Sequence, residues 1–90
     1  MTVRYTPEAL NHLAGIRAYI SQNSPDAARR VIRRIKETLA ALEVFPRLGH
    51  QGDETGTYEL TVRGLPYVAV YEIRKSAVVV FGIFHGAQER

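Results

Sequence analysis

The 90-residue chain contains no cysteine and no tryptophan. Without cysteine it has no disulfide staple, no thiolate zinc site and no cysteine nucleophile. Its histidines, His12, His50 and His85, lack the HxxxH-like spacing that sets two ligands on one helix face, so neither a metal nor another cofactor is expected. No apolar run approaches the ~20 residues of a membrane span. At the N-terminus, MTVRYTPEAL puts charge and proline where a secretory leader needs an apolar stretch. The expectation is a soluble, cytoplasmic protein with no membrane partner. Phosphate-cradling loops of the GxGxxG and GxxxxGK[ST] types are missing, and Gly49-His50-Gln51-Gly52 lacks the strand before and helix after that would aim backbone amides at a phosphate. Glu8, Glu43, Glu59 and Glu72 fall on different elements, so no carboxylate pair suggests acid-base chemistry.

What is present is apolar material for one core. Hydrophobic residues make up 46% of the chain, enough at this length for a single domain over residues 1–90 but not for two. The net charge is +3, and RRVIRRIK, from Arg29 to Lys36, gathers five cations into eight residues. Such a run is either the solvated side of a helix or a ladder for phosphates. No base-reading aromatics interleave it, so direct sequence-specific nucleic-acid binding is not expected, and Arg29, Arg33 and Lys36 are read as a basic, solvated face.

The periodicities assemble an α+β domain. Val3-Arg4-Tyr5 alternates as a short strand, and Thr6-Pro7-Glu8 then supplies a capping hydroxyl, a proline for the first helical position and an acid for the positive helix end. The first helix is predicted from Pro7 to Gln22, with Ala9, Leu13, Ile16 and Ile20 in one stripe. Ser24-Pro25 repeats the start signal after so short a break that the two helices must form an antiparallel hairpin. In the second helix Ala28, Val31, Ile32, Ile35, Leu39 and Leu42 share one side, and Phe45-Pro46 ends it. PRLGHQGDETG, residues 46–56, has no periodicity and reads as a mobile surface loop. Three strands follow over residues 57–62, 66–73 and 77–84, joined by short turns as an antiparallel meander. The last two are apolar on both faces and therefore central, with the helical hairpin covering one side. The expected fold is an N-terminal strand and a helical hairpin packed on an antiparallel β-sheet, in the order β-α-α-β-β-β.

Two groups of residues in the strands could serve contact or chemistry. Tyr67 and Tyr71 share a strand face, where an apolar ring packs and a hydroxyl finds a partner at the rim. His85 stands where the last apolar run stops. An acid or base there would need a second group to orient it, and the sequence shows none beside it.

The element order, NSPDAARR at the start of the second helix, the P-x-x-G step from Pro46 to Gly49, GTYEL, RGLPYVAVYEI and the terminal HGA together resemble the ParE branch of the RelE/ParE toxins of bacterial toxin–antitoxin modules. The resemblance covers nearly the whole chain. It implies a toxin without intrinsic catalysis that inhibits DNA gyrase and is neutralised by a ParD-like antitoxin. The alternatives are a ribosome-dependent mRNA interferase of RelE type and a non-toxic antitoxin-binding co-repressor. RelE-like nucleases typically carry YRLVY, whose arginine stabilises phosphate charge, where this chain has YVAVY with Val68. The resemblance also implies an antitoxin-binding surface built from Leu13, Ile16, Ile20, Val79, Phe81 and Phe84. His85, Gln88, Arg90, Arg63, Tyr58 and His50 are its target-contact candidates. Tyr58, His50 and Gln88 replace arginines frequent in the family, which leaves an attenuated toxin or a different target open.

Overall fold

Thr6 and Ser24 open the two helices in the same way. Each hydroxyl accepts the backbone N–H three residues on, at 3.1 Å, and each is followed by proline at the first helical position. A computed structural model describes residues 1–86. In it α1 spans Pro7–Ser21 and α2 spans Pro25–Ala40, with a three-residue link that folds them into a hairpin. The second helix does not run unbroken to Phe45: it tightens into one 3-10 turn at Ala41–Glu43 before the chain leaves the helical layer.

The strands are β1 (Thr2–Tyr5), β2 (His50–Gln51), β3 (Thr57–Thr61), β4 (Tyr67–Ile73) and β5 (Ala77–His85), in the sheet order β1-β5-β4-β3-β2. The two most apolar strands are adjacent and central. Two expectations need correction. The sheet is mixed rather than antiparallel, because β1 lies parallel to β5, with Thr2 opposite Ala77 and Tyr5 opposite Val80. No hairpin links these strands; the helical layer and the whole meander intervene, so no turn dictates their direction. The segment read as a mobile loop also contributes β2, which pairs with β3 through His50–Glu59 and Gln51–Tyr58. Two residues are too few for an alternation pattern, so this strand is defined by its partner.

Tyr71 explains how that segment is held. Its ring is wholly buried, and its hydroxyl donates to the Pro46 carbonyl at 2.8 Å while accepting the Gly49 N–H at 3.0 Å. A side chain at Gly49 would collide with the Glu59 carbonyl, so the backbone can approach β3 this closely only with glycine there. Between β4 and β5 the register slips by one residue: Val70 faces Gly82, Tyr71 faces Val80, and Phe81 is the extra residue of a bulge. The slip lets Val78 and Val80 point into the core before it and Ile83 after it. The core is completed by Leu13, Ile32, Ile35, Leu39 and Leu42 from the helical layer and Leu60, Val62, Ala69 and Tyr71 from the sheet.

Candidate functional site

Three surfaces carry the residues of interest, and β5 borders two of them. Beyond Val80, where β1 ends, α1 itself satisfies the edge of β5. The Thr6 N–H donates to the Val80 carbonyl at 3.0 Å, the Thr6 hydroxyl donates to the Phe81 carbonyl at 3.3 Å, and the Ile83 N–H donates to His12 Nδ1 at 3.1 Å. An imidazole accepting at Nδ1 carries its hydrogen on Nε2 when neutral. His12 also packs against the Phe84 ring, centroids 4.9 Å apart. Nothing in the sequence except its place beside the apolar stripe of α1 marked His12 as a tie between helix and strand.

A groove of about 760 Å³ opens alongside this tie, between Asn11, Ile16 and Tyr19 of α1 and Tyr67, Phe84 and His85 of the sheet. His85 lies opposite Tyr67 in the ladder, half-buried, with its ring edge-on to the tyrosine at 5.8 Å. It is a wall of the groove near the end of β5. The β3–β4 turn, which holds Arg63, lies at this same end of the sheet; there the Arg63 carbonyl accepts from Arg34 Nη1 at 3.1 Å, and Gly64 takes a φ of 80° that side chains rarely adopt.

The second surface is the sheet face turned away from the helices. There Thr61, Val68 and Phe84 form one cross-strand row on β3, β4 and β5, and at its β5 end the Phe84 ring meets His12 of α1 and borders the groove. Val68 is half-buried between its two neighbours, and the row carries no charge. Val79 belongs to this face through its pairing with Glu72 and Arg4, and the bulged Phe81 lies under the Arg74 guanidinium, 5.3 Å from the ring centroid.

The structure therefore divides the residues expected to bind a partner. Leu13 is only 4% exposed and belongs to the core, whereas Ile16 and Ile20 are half-buried on the hairpin. Phe84, at the β5 end of its row, reaches the groove beside Ile16, but Val79 and Phe81 lie away from the groove on the sheet face turned from the helices. The apolar side chains that α1 does present to solvent, Leu10 and Tyr19, flank the stripe that periodicity picks out. A stripe that fills the core leaves contact to the residues at its margins.

The target-contact candidates separate as well. His85 and Arg63 share one end of the sheet, while Tyr58 and His50 sit where β3 begins and meets β2. Tyr58 stacks on Tyr71 at 5.4 Å and its hydroxyl accepts from Arg47 Nη1 at 3.1 Å, so a cation does stand beside this position. Burial pushes the Tyr71 hydroxyl above the usual tyrosine range, opposed by the Gly49 N–H and reinforced by Tyr58. Tyr5 is pushed up by burial too. Gln88 and Arg90 lie outside the described residues. The third surface is the basic side of α2, where Arg29, Arg33 and Lys36 are all exposed.

Against known proteins, residues 3–90 match the family model described as the ParE toxin of the type II toxin–antitoxin system parDE. The Y4kP protein of Sinorhizobium fredii is 37% identical over 87 residues, covering 97% of this chain and 90% of that one. Toxin RelE2 of Caulobacter vibrioides is 36% identical over 86 residues, 96% of each chain. Among solved structures, the chromosomal ParDE toxin–antitoxin system of P. aeruginosa superimposes with a TM-score of 0.85 over 94% of this chain and 95% of that one, at 20% identity, which is a likeness of fold.

Proposed function

The chain belongs to the ParE toxin family of type II toxin–antitoxin systems, and from that membership we propose that it inhibits DNA gyrase, has no nuclease activity of its own, and is neutralised by a ParD-like antitoxin. The observation that carries this reading is the uncharged row of Thr61, Val68 and Phe84 on the open sheet face. Cutting RNA through its 2′-hydroxyl builds negative charge on the phosphate, and a preorganised cation stabilises that charge by several kcal/mol, roughly a hundred-fold or more in rate. Valine at position 68 supplies no such charge. His85, packed edge-on against Tyr67, is suited to contact at the groove wall.

An antitoxin segment fits the apolar groove along α1, where Tyr19 is 72% exposed and Ile16 and Phe84 are half-buried. A segment that folds on binding would cover this surface and with it the end of the sheet that carries His85.

Two parallel assays test the proposal. Purified protein is expected to accumulate gyrase–DNA cleavage complexes and to leave messenger RNA uncut on translating ribosomes. Site-specific cleavage of the message in the ribosomal A site, with no effect on gyrase, would replace this reading with that of an mRNA interferase, which the similarity to Toxin RelE2 keeps as the second reading.

A further inference from the structure

The charge of this molecule resides in one helix. α2 carries Arg29, Arg30, Arg33, Arg34 and Lys36 against two acids, Asp26 and Glu37, while the rest of the chain holds seven cations and seven acids. The net charge of +3 is therefore that of α2 alone. All five cations are exposed. Among the described residues, Arg29 is the only one of them paired with a carboxylate, that of Asp26, and both side chains of this pair are well exposed. Arg34 holds the Arg63 carbonyl with one nitrogen of its fork. Arg17 of α1 faces the set across a groove of about 490 Å³ that Arg29, Arg33 and Lys36 line over an apolar floor of Ile32 and Ala40, with Glu37 the one acid among four cations in its lining.

We infer that the basic side of α2, with Arg17, is a binding surface for the phosphate backbone of duplex DNA, independent of sequence. At the helical rise of 1.5 Å per residue, Arg29 and Lys36 are ~10 Å apart along the axis, and the intervening cations fan around about half of the circumference. That is the footprint of a helix entering the B-form major groove, which is ~12 Å wide, with cations reaching the phosphates on both walls. A-form RNA offers no such entrance, because its major groove is deep and narrow. Single strands are held by aromatic platforms between cations, and none of the residues of α2 is aromatic. The cationic arc contains no Asn or Gln to read adenine edges, and its arginines are assigned to phosphates rather than to guanine edges, an assignment that the scrambled duplex below tests. The surface is separate from the uncharged sheet face and does not depend on the gyrase reading; it would hold the protein on DNA whatever its protein target is.

Fluorescence anisotropy of a labelled 20-base-pair duplex of arbitrary sequence, titrated with the full chain free of antitoxin and of gyrase, tests the assignment. Binding is expected at low salt, unchanged when the sequence is scrambled, with log affinity falling against log salt at about −0.9 per phosphate neutralised, or roughly −4 to −5 for five contacts. Arg30→Glu with Arg33→Glu should weaken binding at least ~10-fold and make the slope shallower by about 2. The neutral pair Arg30→Gln with Arg33→Gln should act in the same direction, and circular dichroism of both variants should match the parent. Absence of binding at low salt, or affinity indifferent to these substitutions in folded protein, would overturn the assignment. So would equally tight binding of a labelled poly-glutamate at matched charge, which would mark the face as a receptor for acidic peptide.

Discussion

Tyr71 and His12 each use one polar atom to join segments distant in sequence. The Tyr71 hydroxyl serves two backbone groups at once, so Tyr71→Phe leaves the Pro46 carbonyl and the Gly49 N–H to find other partners. A loss of about 1–3 kcal/mol is expected in chemical denaturation, the penalty for stranding part-buried polar groups. The same hydroxyl, with that of Tyr5, makes stability depend on alkaline pH. Both groups are held above the ordinary value of 10.0, so the folded chain keeps protons that the unfolded chain gives up. Their contribution is fully present below pH ~10 and is lost as pH rises through the folded-state values. Denaturation midpoints measured from pH 8 upward should therefore fall above about 10, and less steeply in Tyr71→Phe. For His12, replacement by leucine removes the acceptor of the Ile83 N–H and should cost about 1–3 kcal/mol, whereas asparagine, with an acceptor at similar reach, should recover part of it. Equal losses for leucine and asparagine would assign the role of His12 to its packing on Phe84.

The two sides of α2 separate stability from binding. Ile35 and Leu39 have no exposed surface, and truncating Ile35 to alanine should destabilise by about 2–5 kcal/mol. Charge reversal at Arg30 and Arg33, both exposed and without a carboxylate partner, should change stability by only ~0.5 kcal/mol at each position in thermal or urea unfolding. A large loss would show that these charges are engaged in the fold. The helix boundaries were legible in sequence because Ser24-Pro25 and Thr6-Pro7 act locally, through one hydroxyl and one fixed φ. The switch to a 3-10 turn at Ala41 was not, since no side chain there breaks the pattern and the tightening accompanies the burial of Leu42 in the core.

At the scale of the whole molecule, one helical hairpin covers one face of a five-stranded sheet, and considerable apolar surface remains outside the core. Leu10, Tyr19, Val44, Phe45 and Leu48 are each more than half exposed. The domain should express poorly or associate with itself when produced alone, and become soluble with a cognate antitoxin. The complex should survive purification in high salt, because apolar burial holds it, while its rate of formation falls with added salt because the chain carries +3. Dissociation in high salt would assign the affinity to charge. A stable, monodisperse monomer that takes up no antitoxin would count against the partnership.

Helices, strands and the apolar stripes that face each other could be read from the chain because each depends on neighbours within a few residues: a cap, a proline, a period of 3.6 or of 2. Local pattern likewise confined the charge to α2 and put valine at position 68. The tertiary structure alone decided that β1 runs parallel to β5, that His50 and Gln51 form an edge strand, and that Phe81 bulges so that Ile83 rather than Gly82 enters the core. It also decided that, within the stripe read from the sequence, Ala9 and Leu13 are buried while Ile16 and Ile20 stay half-buried. These features rest on contacts between residues tens of positions apart, such as Ile83 with His12 or Tyr71 with Pro46, whose energies appear only once the layers are packed. A periodic pattern states which face of an element is apolar, and how much of that face remains open is set by the elements that come to lie against it.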